Sequence, residues 1–120
     1  DRGGARERDS RGGRERPTSV TAVKIYLDDT REAPQGWTRC YWPSEVIALL
    51  EAGGVAELSL DHDLGDDERG TGYDVLRWLE EAVALRGVVP PARIVIHSAN
   101  ASAWTKMVQA IESIERLASR

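Results

Sequence analysis

Hydrophobic and polar positions along the chain change period several times, and each change marks an element. Residues 20–27, VTAVKIYL, are rich in β-branched side chains and read as a buried strand that ends in Asp28-Asp29. DTREAPQG is a loop with Pro34 and Gly36 as breakers, and WTRCYW is a short second strand. PSEVIALLEAGG predicts a helix with Ser44 near its start, an apolar side of Val46, Ile47, Leu49 and Leu50, and Gly53 at its stop. VAELSLD is a strand and DLGDDERG a polar loop. TGYDVLRWLEEAVALRG is a second helix, with Thr71 and Asp74 in the spacing of a capping box and a face of Val75, Leu76, Leu79, Ala82 and Val83. Beyond Pro90-Pro91 comes the strand ARIVIHSA. The last helix is ASAWTKMVQAIESIERLA, with Trp104, Met107, Val108, Ile111 and Ile114 at helical spacing.

Strands that alternate with helices predict parallel pairing through right-handed crossovers. Near-continuous apolar strands predict a sheet covered on both faces. The expected fold is therefore a three-layer α/β domain over residues 20–120, with a parallel sheet of about four strands. Residues 1–19 hold Arg, Gly, Ser and Glu and almost nothing apolar, so a disordered tail is expected there. Its two RGG triplets leave an RNA contact as the alternative to an inert linker.

Charge sharpens this picture. The chain has 16 Lys and Arg against 20 Asp and Glu. The tail takes six Arg and four acids of these, which leaves ten basic and sixteen acidic residues for the rest. A domain that acidic is a poor general binder of nucleic-acid backbone. Half of its acids fall in 28–29 and 61–74, a crowding that a cation would relieve. The single Cys40 forms no internal disulfide and has no Cys partner for a zinc site, which fits a reducing cytoplasm. No apolar run approaches the length of a membrane span, and the first residues lack the apolar core of a secretory signal. Residue 1 is Asp rather than Met, as expected of an excised or processed piece.

Three strands end in polar clusters: Asp28-Asp29 with Arg31 behind, Asp61-His62-Asp63, and His97-Ser98 with Asn100 following. In a parallel sheet these ends share one rim, where ligands of open α/β sheets bind. Both histidines of the chain fall in this set. Asp28, Asp29 and Asp61 offer the hard oxygen ligands that suit Mg2+, with helix capping or loop hydrogen bonding as the alternative. His62 and His97 form a candidate acid–base pair, and Asp63 either orients His62 or joins the metal set. Arg31, Ser98 and Asn100 are candidate phosphate-binding residues; the alternatives are an ion pair for Arg31 and capping of the last helix for Ser98 and Asn100. Asp66, Asp67 and Glu68 read as solvated loop acids. Trp37 and Trp42 read as packing residues, with the wall of a base pocket as the alternative.

YLDDTREAP, LSLDHDLG, TGYDVLRWLEE and IHSAN together resemble the cyclic-phosphate processing receiver-like domains, a divergent branch of the response-regulator receiver (flavodoxin-like) superfamily. The resemblance covers about residues 22–118. It implies that Asp28 and Asp29 help hold magnesium, that Asp61 is the acid ending the third strand, which in ordinary receivers accepts the phosphoryl group, that Ser98 is the hydroxyl residue ending the fourth strand, and that His62, Asp63 and His97 are the branch's own motif. Ordinary receivers carry a lysine at the end of a fifth strand. Here the chain runs on as helix at SIERLASR, while Lys24 and Lys106 sit elsewhere, so a truncated sheet is expected. The leading functional expectation is metal-assisted hydrolysis of a cyclic phosphate, a phosphoesterase of cyclic phosphodiesterase type. The substrate would be a small molecule or an RNA end. The alternatives are a two-component receiver phosphorylated on Asp61 and a non-catalytic cyclic nucleotide sensor.

Overall fold

The computed structural model describes residues 22–120. The tail expected over residues 1–19, and the start of the domain at residue 20, lie outside the described residues. Strand β1 spans Val23–Leu27, β2 Thr38–Cys40, β3 Val55–Leu60 and β4 Arg93–Ile96; helix α1 spans Pro43–Ala52, α2 Gly72–Arg86 and α3 Ala101–Ala118. All pairings are parallel, in the order β2-β1-β3-β4. The receiver-like α/β fold expected from the strand and helix pattern is present, and among the described residues no strand follows α3.

The register sorts every strand side chain onto one of two faces. Ile25 pairs with Leu58 and Leu58 with Ile94; one step on, Leu27, Leu60 and Ile96 stand in line. These residues meet Val46 and Leu50 of α1, Leu76 and Leu79 of α2, and Met107 and Ile114 of α3 in one hydrophobic cluster. The other register rows are mostly polar or aromatic. Lys24, Glu57 and Arg93 form one, and Arg39, Tyr26, Ser59 and Val95 the next.

Topology explains the asymmetry. The chain steps in one direction from β2 through β3 to β4, apart from the already placed β1. Successive right-handed crossovers in one direction put their helices on the same side. α3 then packs along α2. All three described helices thus lie on one face, and the layer expected on the other face is not among the described residues. The loop 28–37 joins two parallel strands with no helix between them.

Element ends follow their local chemistry. Glu45 Oε1 accepts from the amides of Tyr41 and Trp42 ahead of α1. Asp74 Oδ2 accepts from Thr71 N at 2.8 Å, the capping-box contact expected of that spacing. Asn100 Oδ1 accepts from Ala103 N and caps α3. The expected apolar stripe of α3 is rotated. Ala103, Met107, Ala110 and Ile114 are its buried centre, and Trp104 is 46 % exposed. β4 is the sheet edge, so the flank of α3 beyond it finds no second strand to cover.

Candidate functional site

The sheet ladder runs one residue past three strand ends. Asp28 N donates to Cys40 O, Asp61 N to Leu27 O and His97 N to Leu60 O. Asp28, Asp61 and His97 therefore stand in register at the carboxyl rim. Each follows a residue of the helix-covered face, so each turns toward the uncovered one. Residues far apart in sequence meet here for that reason.

Asp28 is fully buried and fully used. Oδ1 accepts from the amides of Thr30 and Arg31, both at 2.8 Å, and Oδ2 accepts from His97 Nε2 at 3.0 Å. Burial alone would raise its carboxyl, but those amides and the His97 ring outweigh it and hold Asp28 below the usual carboxylate range. Asp61 goes the other way. Burial and the neighbouring Asp28 charge push it up, against the opposing hydrogen bond from His62 N at 2.8 Å. One oxygen each from Asp28, Asp29 and Asp61 can lie within 4.8 Å of the others. Oxygens bound about 2.1 Å from one Mg2+ stand roughly 3–4 Å apart, so this donor set fits a shared divalent ion after a small adjustment. A like-charge repulsion that raises Asp61 is the strain such an ion would relieve.

The two histidines occupy different settings. His97 Nε2 must carry the hydrogen, because an ionised carboxylate such as Asp28 only accepts. In the neutral ring Nδ1 then accepts from the Ser59 hydroxyl, 2.7 Å away. The ring also stacks on Tyr26, with centroids 4.3 Å apart and planes 2° from parallel. His62 Nδ1 donates to Asp63 Oδ1 at 2.8 Å, so in its neutral form Nε2 holds a lone pair. That bond holds the Asp63 carboxyl below its ordinary range, with help from Asn100. Asn100 Nδ2 reaches Asp63 Oδ2 at 3.3 Å and links the second cluster to the third. No described hydrogen bond joins the two rings.

The other expected residues are also at the rim. Arg31 Nη1 donates to His97 O at 2.9 Å and lies 3.6 Å from Asp28 Oδ2, while half of its side chain stays exposed. Ser98 Oγ accepts from Asn100 N, and its hydroxyl is among the influences that lower Asp61. Asp66, Asp67 and Glu68 are exposed. Arg39, Ser59 and Tyr26 were not among the expected site residues. Arg39 Nε donates to Asp28 O, and Ser59 with Tyr26 fixes the His97 ring. Period-two alternation could have exposed them, since Tyr26 and Ser59 break their apolar strands on the same face.

Two details shape the loop after β3. Leu64, 1 % exposed, anchors it in the core. Gly72 begins α2 where a Cβ would stand 1.9 Å from Asp61 O, so only glycine lets the helix approach that close. A surface hollow of about 750 Å³ between α2 and α3 is lined by Arg77, Trp78, Glu80, Glu81 and Leu117, away from Asp28, Asp29 and Asp61.

The family described as cyclic-phosphate processing receiver domain has a model that matches residues 23–113. No curated protein and no solved structure matches the chain.

Proposed function

The chain belongs to the cyclic-phosphate processing receiver family, and from that premise we propose that its acidic rim binds a cyclic phosphate and hydrolyses it with the help of a divalent metal. The observation that carries the reading is a His–carboxylate dyad beside a three-acid cluster. Asp63 holds Nδ1–H of His62, which leaves the Nε2 lone pair to accept a proton. Asp28, Asp29 and Asp61 are the residues that would hold Mg2+, which when bound neutralises phosphate charge and polarises its oxygens.

In the proposed step the oxygen of water bonds to phosphorus while one of the two ring P–O bonds breaks, which leaves a phosphate monoester. The water proton passes to His62 Nε2. In this step His97 acts as the imidazolium: it gives one proton to the departing oxygen and is left as the neutral ring that donates Nε2–H to Asp28 and accepts from Ser59. Arg31 and Ser98 steady the phosphoryl oxygens, and Asn100 keeps Asp63 in place. Occupation of both His97 nitrogens favours one further reading, a sensor that binds without turnover.

Phosphorus NMR on a panel of cyclic phosphates, with and without Mg2+, tests this. The expected result is a monoester signal that needs the metal and falls by about a hundredfold or more in His62→Ala, the usual weight of one acid–base group. Binding to the wild-type protein with every cyclic phosphate left intact would favour the sensor. Unchanged turnover in His62→Ala would remove the acid–base assignment.

A further inference from the structure

The sheet face away from the helices continues directly from the rim. We infer that this face is a track for single-stranded RNA, whose 3′ end presents the cyclic phosphate to the acids. The placement of that end rests on the function proposed above; the track rests on separate observations.

Charge is the first. Residues 22–120 are strongly acidic overall, yet the uncovered face reverses this. Its strand positions carry Lys24, Arg39 and Arg93 against the single acid Glu57. Glu57 holds the two outer cations only loosely, at 3.7 Å from Lys24 and 3.8 Å from Arg93. Those side chains remain 44 % and 69 % exposed, available to phosphates. A basic strip on an acidic domain suits an anionic chain that must lie in one place, and it disfavours coating by nucleic acid in general.

Aromatic chemistry is the second. The Trp37 indole stands edge-on to Tyr26, and the Lys24 ammonium sits 5.7 Å from its centroid. Tyr41, 45 % exposed, carries the Arg39 guanidinium over its ring at 4.4 Å. Arg39 in turn donates to Asp28 O, which places this planar pair beside the acids. Neither Tyr26, Trp37 nor Val95 belongs to a hydrophobic cluster that a described helix covers. Aromatic and guanidinium planes on an open four-stranded sheet are what unstacked bases use, two or three at a time, with cations along the backbone. A 2′,3′-cyclic phosphate also exists only at a ribose end. The geometry thus orders the ligand: cyclic end at Asp28 and Asp61, first base on Tyr41 and Arg39, upstream phosphates toward Lys24 and Arg93.

The test is fluorescence anisotropy with a short single-stranded RNA, ending either in a 2′,3′-cyclic phosphate or in a 3′-hydroxyl, against full-length protein over a salt series. Residues 1–19 are kept in every sample, so any contribution from their arginines cancels. Tyr41→Ala is expected to weaken binding by about five- to a hundredfold, the worth of one stacked base. The Lys24→Ala/Arg93→Ala double variant is expected to lower the slope of log K against log salt by about 1.4, two contacts on a single strand. It should open a cyclic mononucleotide as the wild type does, since both residues lie at the strand ends remote from the rim. Wild-type affinity and slope in these variants would overturn the track, even if cyclic phosphates are hydrolysed. RNA binding that follows the variants, with no hydrolysis of any cyclic phosphate, would keep the track and reject the esterase. Sedimentation that shifts in the variants while RNA affinity does not would give the face to a second copy of the chain, and overturn the proposal.

Discussion

Ser59 and Leu58 are neighbours on one strand and belong to different chemistries. Leu58 is fully buried under the helices, in a row of Ile25, Leu58 and Ile94. Ser59 is nearly as buried, but by the His97 ring, and it serves a hydrogen bond. The same contrast divides the whole sheet. One face stores the folding energy and is interchangeable apolar volume; the other holds few, specific polar contacts that end at the acids. Stability and site chemistry are thus separated by the two-residue period of a strand. The one place where they touch is the rim, where α2 presses on the end of β3.

That junction carries the largest expected effect. Gly72→Ala drives a methyl into Asp61 O and is expected to cost about 4 kcal/mol or more, read as a fall in the urea midpoint; a near-neutral result would show that α2 moves freely over the rim. Next comes the pair of neighbours. Leu58→Ala is expected to cost about 2–5 kcal/mol, as core truncations do, whereas Ser59→Ala should cost about 1 kcal/mol and act mainly on the orientation of His97. Equal costs in chemical denaturation would break the division between faces.

Much of this architecture is legible in the sequence, and the gaps have physical causes. VKIYL, VAELSL and RIVI announce strands, and the polar triplets after them announce the rim, because parallel strands put their carboxyl ends together. The asymmetry of the sheet is harder to read. Tyr26 and Val95 look apolar, so the strands pass for runs buried on both sides, although both residues lie on the open face. Leu64 lies in a loop whose composition reads as solvated, and only tertiary contact reveals it as core. Gly72 is an ordinary helix-start residue in the sequence; its necessity comes from a carbonyl eleven positions earlier in the chain. Trp104 follows the helical period faithfully and is still exposed, because the sheet stops at β4.

Smaller effects separate the rim acids. Asp61 sits above the ordinary carboxylate range, so its share of stability is present below that range and is lost as pH rises through its raised value. Asp28 and Asp63 sit below it; their share is present above the ordinary range and is lost as pH falls through their lowered values. Asp61→Asn should therefore stabilise the protein at pH 7 by about 1 kcal/mol, as site residues often do when removed, with a gain that fades in acid. Thermal melts at several pH values check the sign, and a loss of stability at pH 7 would contradict the raised Asp61. Cys40, buried and pushed up to about 11, is expected to resist thiol reagents in the folded state, a property that mass spectrometry after alkylation reads directly.

Paramagnetic Mn2+ offers the most direct examination of the shared-ion rim. In a nitrogen–proton NMR spectrum, sub-stoichiometric Mn2+ is expected to broaden the amides of residues 28–31, 61–63 and 97–98 first, and Asp29→Asn or Asp61→Asn should abolish that selectivity. Broadening centred instead on the exposed acids Asp66, Asp67 and Glu68, or spread without preference, would contradict a metal held by Asp28, Asp29 and Asp61.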